Sequence, residues 1–218
     1  MKTPQYIWQN EHWQNFRFNS EKILQPLSAV RKIQGRLLGT VESIGFDASI
    51  RACALSLEED AIHTAAIEGE ALDREGVRSS IAMHLGLPNA GMRPAGRAAD
   101  GLVQVLLDAT RNYPALLTGE RIRGWHAALF PTGHSGFHKI TVGSWRTTPM
   151  QVISGPLGKQ KIHYEAPFPE VLDAEMTLFF EWWLATSTHM DGIIRAALAH
   201  FYFVTIHPFD DGHGRLAR

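Results

Sequence analysis

The stretch HPFDDGHGRLAR, residues 207–218, holds two His, two Asp, two Gly and two Arg. Their types and order suit the handling of a phosphate. Gly212 and Gly214 let the backbone turn tightly and approach a ligand closely. A helix starting near Gly214 would aim its free N–H groups into that turn as an anion cradle. Arg215 and Arg218 stand three apart, roughly one helical turn, so both can face one ligand. Asp211 beside an anion site suits a divalent metal that bridges phosphate oxygens, and His207 at the rim suits a general base. A polar interhelical loop is the plain alternative for any one of these features; the ordered combination favours phosphate chemistry. A transition-metal site made of His207, His213, Asp210 and Asp211 is a further alternative.

Several elements must position this turn. The apolar run DGIIRAALAHFYFVTI predicts a helix capped by Asp191 and ending about His207, because Pro208 disfavours the α conformation before it. Upstream, Ile23, Leu24, Leu27, Val30, Ile33, Leu37, Leu38 and Val41 recur at helical spacing from Ser20 to about Ile44, with Ser20 as N-cap. A second helix follows Asp47 and stops near Gly69. Residues 86–95 read as a loop, and helical patterns cover about 96–111, 118–129 and PEVLDAEMTLFFEWWLATS. Between Phe137 and Tyr164, β-branched alternation with Gly and Pro predicts a hairpin. The expected fold is all-α with one β-hairpin.

Composition narrows the partners. The chain has 218 residues, enough for one large domain or two small ones, with 44% hydrophobic and 20% charged residues. With 21 basic against 22 acidic residues there is no net pull toward nucleic acid or anionic lipid, so any anion site must be local. Cys53 is the single cysteine; it cannot form an intramolecular disulfide and reads as a small buried thiol in a reducing compartment. No secretion signal is present, and Glu181 and Arg195 interrupt the most apolar runs, so a cytoplasmic protein with no membrane partner is expected.

The terminal stretch resembles the signature of the Fic family, His-x-Phe-x-Asp/Glu-Gly-Asn-Gly-Arg-x-x-Arg, at His207, Phe209, Asp211, Gly212, Gly214, Arg215 and Arg218. His213 stands where the family has Asn. The resemblance implies a Fic-type helical fold with a hairpin flap, and a nucleotidyltransferase that moves AMP from ATP to a Ser, Thr or Tyr hydroxyl of a target protein. It implies His207 as the base that deprotonates the hydroxyl and Asp211 as the Mg2+ ligand. Gly212, Gly214 and Arg215 would cradle phosphate, Arg218 would hold the terminal phosphate, and Phe209 would anchor the loop. Asn at position 213 would offer an amide donor near the α-phosphate; His213 can donate from its ring but is bulkier and pH-dependent.

Two further stretches extend the likeness. TAAIEGE fits the family's inhibitory pattern Ser/Thr-x-x-x-Glu-Gly/Asn at Thr64, Glu68 and Gly69, which implies that Glu68 pairs with Arg218 and keeps it from the γ-phosphate. GSWRTTPMQVISG has the character of the flap that aligns a target by strand addition, with Met150 and Val152 to clamp it; a hairpin packing its own apolar face would explain these two residues equally. LTGERIRGWHAALF resembles a core helix of the family. The likeness divides the chain into an N-terminal helical extension, 1–50, and a Fic-type domain, 51–218. That domain holds an inhibitory helix (about 55–69), a flap (about 137–164) and the signature (207–218). A helix from Gly214 has only about one turn here, whereas a Fic core continues, so a C-terminal truncation is expected. DNA is a partner only if a missing C-terminal module binds it, and a homodimer is left open.

Three functions follow. The first is an adenylyltransferase restrained by Glu68. The second is the reverse chemistry, with Glu68 orienting a water that removes AMP from a modified protein. The third is a nucleotide-binding regulatory module impaired by His213.

Overall fold

The computed structural model describes residues 5–156 and 158–218; residues 1–4 of the expected extension and Leu157 of the expected hairpin lie outside the described residues. Among those described, eight α-helices follow one another: α1 (Ser20–Ser43), α2 (Phe46–Ile67), α3 (Arg74–Leu85), α4 (Arg97–Arg111), α5 (Gly119–Leu129), α6 (Leu172–Ala185), α7 (Gly192–Ile206) and α8 (His213–Ala217). Two small antiparallel sheets join them: β1 (His134–Ser135) with β2 (His138–Lys139), and β3 (Gln151–Ser154) with β4 (Lys161–Glu165). The chain is mostly helical with a β-hairpin, as its pattern predicts.

Side-chain caps fix several helix starts. Asp191 accepts from the N–H groups of Ile193 and Ile194 at the head of α7, and Thr118 accepts from Arg121 N–H at the head of α5. The cap of α1 is Asn19, which accepts from Lys22 N–H at 3.1 Å, one residue earlier than the expected Ser20. Helix α3 has no counterpart among the predicted elements. Its cap is Asp73, its stop is Gly86 in the left-handed conformation, and its buried face includes Gly76, Ser79, Ser80 and Ala82. That face is too poor in large apolar residues to stand out as a stripe.

Two apolar clusters organise the helices. One gathers Leu57, Ala61 and Ala65 of α2 with Val77, Ile81, Leu102, Val103 and Leu129 from α3, α4 and α5. The other gathers Trp13, Ile122, Leu172, Met176, Phe179, Tyr202, Phe203, Ile206 and Phe209. Leu216 of α8 and Trp125 of α5 pack against both. The short helix bearing the two arginines is thereby wedged where the clusters meet, and that contact holds a one-turn helix that could not persist alone.

Helix α1 forms where predicted, yet none of its residues is buried, and Leu24, Ile33, Leu37 and Leu38 are all more than half exposed. Cys53 is also exposed, contrary to expectation. The first half of α2 lies beyond the core, and burial on that helix begins only at Leu57. No helix is long and apolar enough to cross a membrane among the described residues.

Candidate active site

Helix α7 ends as Pro208 requires, and His207 follows it in the left-handed conformation (φ +55°, ψ +59°). For a residue with a side chain that conformation costs on the order of 1–2 kcal/mol, so its surroundings must hold it. His207 N–H donates to Phe203 O at 3.0 Å, and its carbonyl accepts from Arg146 Nε at 2.7 Å. Arg146 is 2% exposed; its guanidinium also donates to Thr148 O and Pro167 O, and its backbone N–H donates to Pro208 O. A buried cation is tolerated when its donors end on carbonyls. Arg146 is thus the clamp on the His207 turn.

The hydrogen bonds also fix the state of the imidazoles. His207 Nδ1–H donates to Val204 O at 3.2 Å, which leaves the lone pair on Nε2. Burial holds the His207 pKa below its usual value, so the ring is neutral, as a base must be. His213 stacks on it with ring centroids 3.5 Å apart. His213 Nε2 accepts from Phe209 N–H at 2.9 Å, which puts its proton on Nδ1, and deep burial pushes its pKa well down. Beneath them Phe209, fully buried, stacks on His126 at 4.0 Å. His126 accepts from Gly143 N–H through Nδ1, and burial lowers it to about 4.

The glycines of the turn are there for space. Gly212 has φ +83°, and a Cβ on it would lie 2.7 Å from Cε2 of Phe130. A Cβ on Gly214 would collide with Glu68 Oε1. The Glu68 carboxylate therefore sits directly over the turn. Arg218 donates to it from Nη2 at 2.6 Å, and to Thr64 Oγ1 from Nε at 2.7 Å. Helix α2 reaches the turn through its own stop: Glu70 N–H bonds Ala65 O and Gly69 N–H bonds Ala66 O, a Schellman closure with Gly69 at φ +76°. Thr64, Glu68, Gly69, Gly212, His213, Gly214, Arg215 and Arg218 are all brought together. Glu70 joins them by accepting from Arg215 Nη1.

Asp211 accepts from Gly212 N–H through Oδ1 at 2.6 Å and from the Ser135 hydroxyl through Oδ2. Asp210 turns elsewhere, accepting from Thr141 N–H at 2.8 Å. The four-residue transition-metal site is not assembled: His213 Nε2 is spent on Phe209. Among the described residues no group of three His, Cys, Asp or Glu is placed to hold a metal ion.

The hairpin pairs Val152 with Tyr164, with a register shift after Val152. Val152, Tyr164, Tyr6, Phe201 and Val204 wall a groove of about 440 Å³ that has His207 at one side. Tyr164 donates its hydroxyl to Thr205 O, and Trp8 Nε1 donates to Glu165 O, so the N-terminal segment and β4 are tied to this wall. Met150 stands apart from that wall: it is half-buried ahead of β3, where its carbonyl accepts from Ala166 N–H.

Arg146, His126, Ser135, Glu70 and Tyr164 are the site residues that sequence reasoning passed over. Only Gly69 beside Glu70, in the stretch TAAIEGE, offered a signal.

Comparison with known proteins agrees with this fold. Residues 116–218 match the Fic/DOC family, and residues 6–87 match a domain of unknown function (DUF4172). A protein adenylyltransferase Fic from Nematostella vectensis is 36% identical over 87 residues, 39% of this chain and 18% of that protein. The chain thus spans about a fifth of that relative's length. A Fic family protein from Desulfovibrio desulfuricans superposes with a TM-score of 0.63 at 20% identity, over 93% of this chain and 56% of the other. A Fic domain containing signaling protein from Bacteroides thetaiotaomicron superposes with a TM-score of 0.61 at 18% identity, over 82% of this chain and 66% of the other. The signature, the family match and the shared fold converge: residues 116–218 of this chain form a Fic/DOC family segment, carried on a Fic-type fold.

Proposed function

We propose that the protein transfers AMP from ATP to a Ser, Thr or Tyr hydroxyl of a target protein, and that Glu68 restrains it. One observation carries this reading. The Glu68 carboxylate lies over Gly214 and, with Thr64, takes the Nε and Nη2 donors that Arg218 would offer a terminal phosphate. The name of the Nematostella vectensis relative supports the same chemistry for the segment it shares.

The chemistry follows from the groups at hand. His207 Nε2 takes the proton of the target hydroxyl. The hydroxyl oxygen bonds the α-phosphorus while the bond from that phosphorus to the oxygen bridging α and β breaks, and pyrophosphate leaves. The groove beside His207 would seat the target side chain between Val152 and Tyr164, and Arg215 and Arg218 would hold the phosphates in line. Asp211 fits Mg2+, which takes one or two carboxylates together with substrate phosphates, because it is a lone carboxylate oriented by Gly212 and Ser135. Bound there, the ion would offset the charge that collects on the departing pyrophosphate.

The same carboxylate favours a second reading. Glu68 over the turn could hold a water that removes AMP from a modified protein. Replacing Glu68 by Gly separates the two. Under the first reading, label from α-labelled ATP enters protein more strongly, and label from γ-labelled ATP does not. Under the second, transfer does not rise and removal is lost.

A further inference from the structure

The turn that ends α2 meets the two arginines of α8 in different ways. Arg218 has one whole edge of its guanidinium filled: Nε by Thr64 Oγ1, Nη2 by Thr64 O at 3.2 Å and by Glu68 at 2.6 Å. Arg215 gives Glu70 only Nη1, which donates to both carboxylate oxygens at 2.9 Å. Its Nε is shut from solvent and has no hydrogen-bond partner among the described residues. The Arg215 side chain is 6% exposed, and its guanidinium carbon lies 4.7 Å from the centre of the Phe130 ring.

A carboxylate on one Nη and an aromatic face beneath the plane together fix the rotation and tilt of a guanidinium. A buried cationic N–H with no acceptor is costly. The acceptor that suits Arg215, in a turn built for anions, is a phosphate oxygen, which arginine takes through parallel N–H groups. A carboxylate that blocked Arg215 would sit on its Nε edge, as Glu68 and Thr64 sit on that of Arg218. Glu70 leaves Nε without an acceptor.

We infer that Glu70 is a positioning residue for the nucleotide: it holds Arg215 by Nη1 alone, so that the buried, unpaired Nε is left to be taken by a phosphate oxygen. The inference rests on the phosphate-binding reading of the site given above. Two carboxylates two residues apart, flanking Gly69 on a single Schellman turn, then act in opposite directions. Glu68 excludes phosphate from Arg218, and Glu70 readies Arg215 to receive it.

Titration calorimetry with ATP and Mg2+ tests this on Glu68→Gly, Glu68→Gly/Glu70→Gln and Glu68→Gly/Glu70→Asp proteins, with the thermal midpoint of each recorded. The Gln variant is expected to weaken ATP binding roughly tenfold, the scale of one charged hydrogen bond, with its midpoint unchanged. The Asp variant is expected to recover most of the affinity. If the Gln variant binds ATP as tightly as Glu68→Gly, or more tightly, the inference alone falls. A lowered midpoint in the Gln variant with no rescue by Asp makes the contact structural and also overturns it. If Glu68→Gly itself binds no ATP, this inference and the functional reading fall together.

Discussion

Position 213 decides how the motif differs from its family pattern. An Asn there has an acceptor and a donor on one small amide. His213 supplies both functions from a ring, Nε2 accepting from Phe209 N–H and Nδ1 left to donate, but the ring is buried and stacked on the base. Its donor is therefore fixed in direction, and its bulk presses on His207. In a Glu68→Gly background, His213→Asn should raise AMP transfer several-fold, about 1 kcal/mol in the barrier, as read from initial rates of α-label incorporation. Equal rates would mean that the ring serves the α-phosphate as well as an amide does. At this scale the sequence was most informative where chemistry is local. Twelve contiguous residues pointed to His207, Asp211 and both arginines, which the fold brings to one turn. Arg146 and His126 stayed hidden because their roles lie in contacts to residues 61 and 83 positions away in sequence, namely His207 and Phe209.

Among the elements, the stretch between β2 and β3 does more than lead into a flap. Arg146 joins it to the His207 turn and to Pro167 beyond the hairpin, so one side chain ties three segments. Arg146→Met keeps the length but leaves those carbonyls without their charged donor. It should lower stability by roughly 3 kcal/mol, measured by urea unfolding, and abolish transfer in the Glu68→Gly background. Retained stability would show that the left-handed His207 needs no clamp. Helices α5 and α7 were legible because an apolar stripe and a capping residue coincide. Helix α3 was not, since Gly76, Ser79 and Ser80 take half of its buried positions and leave only Val77 and Ile81 as large apolar residues there. The stripe of α1 predicted its helix correctly but could not say whether anything covers that face. Periodicity reports which side of a helix is apolar and carries no information about the partner.

Across the whole molecule, three imidazoles, two of them buried and His207 half-buried, link the site to pH. His126, His207 and His213 all have pKa values lowered by burial, His126 to about 4. Above the ordinary histidine value of 6.5 they are neutral both folded and unfolded. As pH falls below it, the unfolded chain binds protons that the folded chain refuses, so stability is lost between 6.5 and about 4. The lowered carboxylates Asp100 and Asp108 act in the same direction but at lower pH. Urea unfolding should therefore show a clear loss between about pH 7 and about pH 5, and His126→Phe should make the slope shallower. A flat profile over that range would mean that the imidazoles are not buried neutral.

The central claim is that His207 drives AMP transfer at a turn that Glu68 obstructs. Its most direct test is intact-mass measurement of the Glu68→Gly protein after incubation with ATP and Mg2+, beside the same protein carrying His207→Ala. The account predicts added AMP on the first and none on the second. AMP added equally to both, or to neither while ATP still binds, would contradict it.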